Sequence, residues 1–157
     1  DAGGMAITNK LAEMNSRSIS GIQVYRSLGR YMYHGILALA KNPKYRIACV
    51  GNSSSGIKET PVFGCPTVNI GSRQSGRLRG QNIIDVDYIE DEIIKASLLC
   101  FENENFRKSC RETNNPYYSG RSGQKIAEIL SKTDVNKKLI RKKMTLIGEV
   151  NENGWFR

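Results

Sequence analysis

The stretch Gly51-Asn52-Ser53-Ser54-Ser55-Gly56-Ile57-Lys58-Glu59 holds residue types suited to a phosphate. A buried-looking strand, Arg46-Ile47-Ala48-Cys49-Val50, leads straight into it, so the order is strand, glycine, small hydroxyl residues, second glycine, helix. At such a turn the unpaired backbone N–H groups and the positive end of the helix face outward. Gly51, Asn52 and Gly56 keep the turn free of bulk, and the serines add hydroxyl donors. A capped helix that binds nothing has the same pattern, so the turn alone leaves both readings open.

Other motif chemistries fail on spacing. There is no G-x-G-x-x-G. Gly51 to Gly56 begins like a P-loop, but Ile57 stands where the lysine belongs, and Lys58 comes one residue late, turned by about 100° on a helix. The single histidine, His34, sits on a predicted helix as a satisfied or surface residue, and no triad spacing surrounds it. Cys49, Cys65, Cys100 and Cys110 are scattered without a C-x-x-C pair, which argues against a structural zinc site and for free thiols in a reducing cytoplasm. No metal or cofactor is expected.

Strands alternate with helices along the chain. Ile7, Leu11 and Met14 mark one helix face, and residues 15–20 break it. Residues 22–25 read as a strand ending before Ser27-Leu28-Gly29. A helix over 31–40 turns Ile36, Leu37 and Ala40 inward and stops at Asn42-Pro43. After the serine turn comes a short helix that Pro61 must kink or end. Strands follow at 67–70 and 83–86, separated by a polar loop carrying Arg73, Arg77 and Arg79. A helix over 89–100 has Glu90, Asp91 and Glu92 in its first turn, with Ile89, Ile93 and Ala96 inward. Asn115-Pro116-Tyr117-Tyr118-Ser119-Gly120 is a turn, and Ser122 caps a helix whose Ile126, Ile129 and Leu130 point inward. This alternation predicts an α/β fold with a doubly wound parallel sheet. Ligands of such sheets sit outside the carboxyl ends of the strands, where Ser27-Leu28-Gly29, the serine turn and the arginine loop all lie.

The 157 residues carry a net charge of +9, but most of that excess lies between Arg121 and Lys143, where eight basic residues face two acidic ones. A solvated tail is the ordinary reading of such a run, and no nucleic-acid module accompanies it. No apolar run approaches the ~20 residues of a membrane span. The chain opens on Asp1-Ala2-Gly3-Gly4, like a loop entered halfway, and we expect a piece of a longer protein.

Together with Phe63-Gly64-Cys65-Pro66-Thr67-Val68-Asn69-Ile70-Gly71-Ser72-Arg73-Gln74-Ser75-Gly76-Arg77, the serine turn resembles the UDP-N-acetylglucosamine 2-epimerases, and within them the hydrolysing branch of sialic and legionaminic acid pathways. Gly3-Gly4, Ser27-Leu28-Gly29 with Tyr33, Asn115-Pro116-Tyr117 and the helix around Lys125-Ile126 follow the family's order, so the resemblance covers roughly residues 1–132.

The resemblance implies the Rossmann-like C-terminal half of a glycosyltransferase-B-type fold at 1–132, with 133–157 a basic tail or extra helix. It also implies an N-terminal domain as partner, a homodimer or homotetramer, and a cytoplasmic enzyme. The implied reaction removes the C2 proton of UDP-N-acetylglucosamine, expels UDP, and adds water to give N-acetylmannosamine. The family's acid/base groups fall in the other half, so no catalytic residue is expected in this chain. By resemblance, Ser53, Ser54 and Arg73 bind the UDP phosphates, Glu59 the ribose, and Leu28 and Tyr33 the uracil. Gly3, Gly51, Asn52, Gly56, Gln74 and Arg77 support the loops. For Arg73 a structural ion pair, and for Tyr33 a core aromatic, remain open. A UDP-2,4-diacetamido-trideoxyhexose as substrate, or a UDP-sugar glycosyltransferase domain, are the alternative readings.

Overall fold

The computed structural model describes residues 4–118 and 120–136. Gly3 and the basic residues from Lys137 onward, expected as loop support and as tail, lie outside the described residues. The chain divides into two units, Asp1–Tyr118 and Ser119–Arg157.

The first unit is built on a three-stranded parallel sheet in the order β1-β2-β3, with β1 at Cys49–Gly51, β2 at Thr67–Ile70 and β3 at Ile83–Val86. Val50 pairs with Val68, and Val68 with Ile84. Two helices precede the sheet, α1 at Gly4–Ser16 and α2 at Gly29–Ala38, the latter tightening into a 3-10 turn at Leu39–Lys41. Between β1 and β2 run α3, Ser54–Lys58, and α4, Thr60–Phe63. After β3 come α5, Glu90–Glu102, and α6, Glu104–Arg111. The second unit contains α7, Ser122–Ser131.

Successive strand residues point to opposite faces, so both faces of this sheet must be covered. On one face Leu37, Ala40 and Cys65 form a core with Tyr33, Ile47, Cys49 and Phe63. On the other, Val68, Ala96 and Cys100 pack with Ala48, Ile70, Ile84, Val86 and Phe106. Cys49 and Ala48, adjacent in sequence, thus serve different cores. Helices on both faces of a parallel sheet make this the doubly wound, Rossmann-like arrangement expected.

Pro61 ends α3 as the sequence required: Glu59 sits between α3 and α4 with φ −102° and ψ −40°. A buried polar network fixes that kink. Thr67 Oγ1 donates to Thr60 Oγ1 (2.8 Å), Thr60 Oγ1 donates to the Gly56 carbonyl (2.6 Å), and Asn82 Nδ2 donates to both Thr60 Oγ1 and the Cys65 carbonyl (3.0 and 2.8 Å). Gly56 lets α3 approach β2 closely, since a Cβ there would stand 3.2 Å from Thr67 Cγ2.

Several expectations are corrected. Residues 22–25 form no strand; Ile22 and Tyr25 are exposed, and no described strand lies beside them to complete a ladder. No residue of α1 is buried, although Ile7, Leu11 and Met14 share its face. Ile36 and Ile89 remain 38% and 51% exposed, whereas Leu37, Ala40 and Ala96 are buried as expected. Ser122 is the first residue of α7, and the cap position falls on Arg121, in the left-handed region at φ 46°. Ile126, Ile129 and Leu130, expected inward, are exposed. The helix α6 has no counterpart in the sequence reading. Among the described residues, no helix is long and apolar enough to cross a membrane.

Gly64 closes α4 at φ 59°, and a Cβ there would lie 2.6 Å from Arg111 Cα. Left-handed backbone costs a non-glycine residue about 1–2 kcal/mol before any clash, and here the obstruction is main chain rather than a movable side chain. Gly64→Ala should therefore lower stability by about 2 kcal/mol or more, read as an earlier midpoint in urea unfolding. An unchanged midpoint would contradict this packing of α4 on α6.

Candidate functional site

Gly51 leaves β1 with φ +151°, a conformation that side chains rarely adopt, and turns the chain toward α3. Ser53 is extended and caps α3, its Oγ accepting the Ser55 N–H at 3.3 Å. Behind the turn, the Asn52 carbonyl accepts from Gln74 Nε2 (2.8 Å) and Arg73 Nη1 (3.2 Å). The peptide that follows is trans, so its N–H points opposite to that carbonyl. Two donors pulling the Asn52 carbonyl toward the 3-10 turn at Ser72–Gln74 therefore aim the Ser53 N–H away from it. The α3 helix is only five residues long, so what the turn could offer an anion is oriented N–H groups and hydroxyls rather than a long helix dipole.

The arginine loop is itself fastened. Arg79 grips Asp85 through Nε and Nη2 (2.5 and 3.1 Å) and donates to the carbonyls of Arg77 and Gln74. Asn69 Nδ2 adds a bond to Asp85 at 2.6 Å. Burial pushes the Asp85 carboxyl upward, but the bonds from Arg79 and Asn69 outweigh it and hold the group below the usual aspartate range. Asn115 Nδ2 donates to the Lys58 carbonyl, and Tyr117 Oη to the Leu78 carbonyl, so the Asn115-Pro116-Tyr117 motif ties the end of α3 to this loop.

Beside the serine turn opens a cleft of about 570 Å³. Leu28, Tyr33, Ser55 and Glu59 line it together. Tyr33 is both a partly buried aromatic packed on the Leu37 core and a hydroxyl in the cleft, 2.7 Å from Ser55 Oγ. Burial, partly countered by Ser55, pushes the Tyr33 phenol up to about 12, so the group is a neutral hydroxyl at ordinary pH. Glu59 Oε2 lies 2.6 Å from His34 Nε2, whose ring packs on Phe63 at 5.2 Å between centroids.

The structure thus brings Leu28, Tyr33 and Glu59 to one cleft, with Ser53 and Ser54 at its serine turn. It puts Arg73 and Gln74 behind that turn, each holding a backbone carbonyl, and leaves the Arg77 side chain exposed. Sequence reasoning put Ser27 in a loop at the ligand edge without giving it a role, and it missed Tyr25 and Arg30 on the cleft wall and the contact of His34 with Glu59. Ser27 had a usable signal: its Oγ accepts the Gly29 N–H at 3.1 Å, the local serine turn that such a residue two before a glycine makes. All four cysteines are free thiols, and burial raises the pKa of each.

Comparison with known proteins bears on this site. The chain is 41% identical over 85 residues to a protein of Campylobacter jejuni named GDP/UDP-N,N'-diacetylbacillosamine 2-epimerase (hydrolyzing), covering 54% of this chain and 21% of that one. It is 45% identical over 60 residues to UDP-N-acetylglucosamine 2-epimerase of Neisseria meningitidis, covering 38% and 15%. It is 40% identical over 75 residues to polysialic acid biosynthesis protein P7 of Escherichia coli, covering 48% and 19%. The matches span about a fifth or less of the length of these relatives. The family profile described as UDP-N-acetylglucosamine 2-epimerase matches residues 1–131, and the chain belongs to that family.

Proposed function

We propose that this chain is the UDP-binding half of a hydrolysing UDP-sugar 2-epimerase. The observation that carries the reading is the convergence of Leu28, Tyr33 and Glu59 on one cleft beside the serine turn. In this reading Ser53, Ser54 and the Ser53 N–H take the phosphates, Glu59 accepts the ribose hydroxyls, and Leu28 and Tyr33 flank the uracil. Arg73 and Gln74 keep the turn in shape from behind, and Arg73 adds positive charge near the phosphates. As UDP leaves, negative charge grows on its β-phosphate, and donors fixed beforehand act where that charge develops.

The whole enzyme, completed by an N-terminal domain and assembled as a homodimer or homotetramer, converts UDP-N-acetylglucosamine to N-acetylmannosamine and UDP in a cytoplasmic sialic acid pathway. The relative from Neisseria meningitidis supports that substrate, and the polysialic acid protein supports the pathway. Two relatives named for diacetylbacillosamine support the alternative substrate, a UDP-2,4-diacetamido-trideoxyhexose. Four free thiols suit a reducing compartment.

Assay of the full-length protein on both UDP-sugars tests the reading. Release of UDP together with the free 2-epimerised sugar, without any acceptor, is expected from one of them. UDP release from neither would overturn it, and release only when an acceptor is added would favour a glycosyltransferase. The chain by itself should turn over neither.

A further inference from the structure

His34 and Glu59 are 25 residues apart and meet only because α2 packs against the α3–α4 kink. The contact is short, 2.6 Å from Nε2 to Oε2. The imidazole is held on its other sides by ring contacts, tilted on Phe63 at 5.2 Å and on Tyr33 at 5.9 Å between centroids. An ionised carboxylate only accepts, so Nε2 carries the proton in this bond. With Oε2 engaged, the acceptor capacity left to a ligand lies mostly on Oε1. The Glu59 side chain is 42% exposed, and with no such anchor a glutamate so placed explores several rotamers.

We propose that His34 is a positioning residue for recognition of a cis-diol: it fixes the Glu59 carboxylate in the cleft before the nucleotide arrives. This rests on the reading of Glu59 as the ribose acceptor. Holding a side chain in its binding rotamer removes an ordering cost on association, so loss of the anchor weakens binding of the diol about 3- to 10-fold. His34 touches no ligand in this account, so its effect must depend on the hydroxyls that Glu59 accepts.

The test compares affinities of the full chain for UDP and for 2′,3′-dideoxy-UDP, in the unsubstituted protein, His34→Phe and His34→Gln. Phenylalanine keeps a ring against Phe63 but has no donor; glutamine restores an N–H at similar reach. The expected result is that the unsubstituted protein prefers UDP, His34→Phe loses about 3- to 10-fold for UDP with the dideoxy affinity unchanged, and His34→Gln recovers most of the preference. A full preference retained in His34→Phe overturns the proposal while leaving the Glu59 reading intact. Equal losses for both nucleotides mean a merely structural histidine and overturn it too. Equal affinities in the unsubstituted protein remove the Glu59 reading and the proposal with it.

Discussion

Replacing Ser53 and Ser54 together with alanine is expected to weaken UDP binding about 10- to 100-fold. Each hydroxyl in this account donates to a charged phosphate oxygen, and bonds to charged groups contribute about 1.5–3 kcal/mol each. The backbone N–H groups of the turn survive the substitution and take up part of what is lost, which leaves about 1.5–3 kcal/mol for the pair, and 1.4 kcal/mol is a factor of ten. One confounding effect is visible in the structure. Ser53 Oγ also caps α3 by accepting the Ser55 N–H, and an alanine there costs about 1 kcal/mol of local stability. Ser53→Gly separates the two, because glycine is nearly as good a cap while lacking the hydroxyl. Titration calorimetry on Ser53→Gly/Ser54→Ala should give the same loss of affinity with little change in Tm. Unchanged affinity in both double variants would refute the phosphate role of the turn.

The second large effect is structural. Arg107 is 5% exposed and donates to Glu104 Oε2 (2.8 Å) and to the carbonyls of Pro43 (3.0 Å) and Tyr45 (2.7 Å). It therefore fastens α6 to the turn that feeds residues 46–48 and β1. Arg107→Met keeps the buried stem but gives up two charge-assisted bonds to the Pro43 and Tyr45 carbonyls, a loss of about 2–4 kcal/mol, while the exposed Glu104 keeps its bond from Arg111. For a chain of this size that is roughly 5–15 °C in Tm. Both carbonyls accept from Nη2 alone, so lysine can serve them with one ammonium but cannot reach Glu104 from a second nitrogen as well, and it should restore only part of the loss. By contrast Lys10–Glu13, exposed on both sides, is a pair of a kind worth at most a few tenths of a kcal/mol, and Lys10→Ala should leave Tm nearly unchanged. A Tm for Arg107→Met within 2 °C of the unsubstituted protein would contradict this account of α6.

Residues 67–70 and 83–86 were legible as strands because each is a short run rich in β-branched residues and bounded by turn residues, the first nearly all buried and the second half-buried at the sheet edge. Residues 22–25 have the same local composition, but a strand exists only beside another, and that is not written locally. The helix α6 escaped because one of its two buried side chains is Arg107, which breaks the apolar periodicity; the Asn103 cap, whose Oδ1 accepts the Phe106 N–H at 2.9 Å, was the signal available. The opposite cores served by Ala48 and Cys49 follow from strand parity alone.

At the site, the serine turn was legible from residue type and spacing, and so was the kink that Pro61 forces next to Glu59. The carbonyl that Arg73 and Gln74 hold was not: proximity of the loop to the turn follows from topology, but which atom receives a side chain does not. His34 was invisible for the same reason. Its partner depends on how α2 crosses the kink, and a lone histidine on a predicted helix gives no hint of one.

If the serine turn and the neighbouring cleft bind one nucleoside diphosphate, both must respond to it at the same concentration. Backbone amide shifts measured by NMR during titration with UDP test it most directly, because they register even weak binding residue by residue. The account predicts that the amides of Gly51, Asn52, Ser53, Ser54 and Ser55, and those of Leu28 and Gly29, move together and saturate at one UDP concentration. Shifts confined to other surfaces, or none at millimolar UDP, would contradict it.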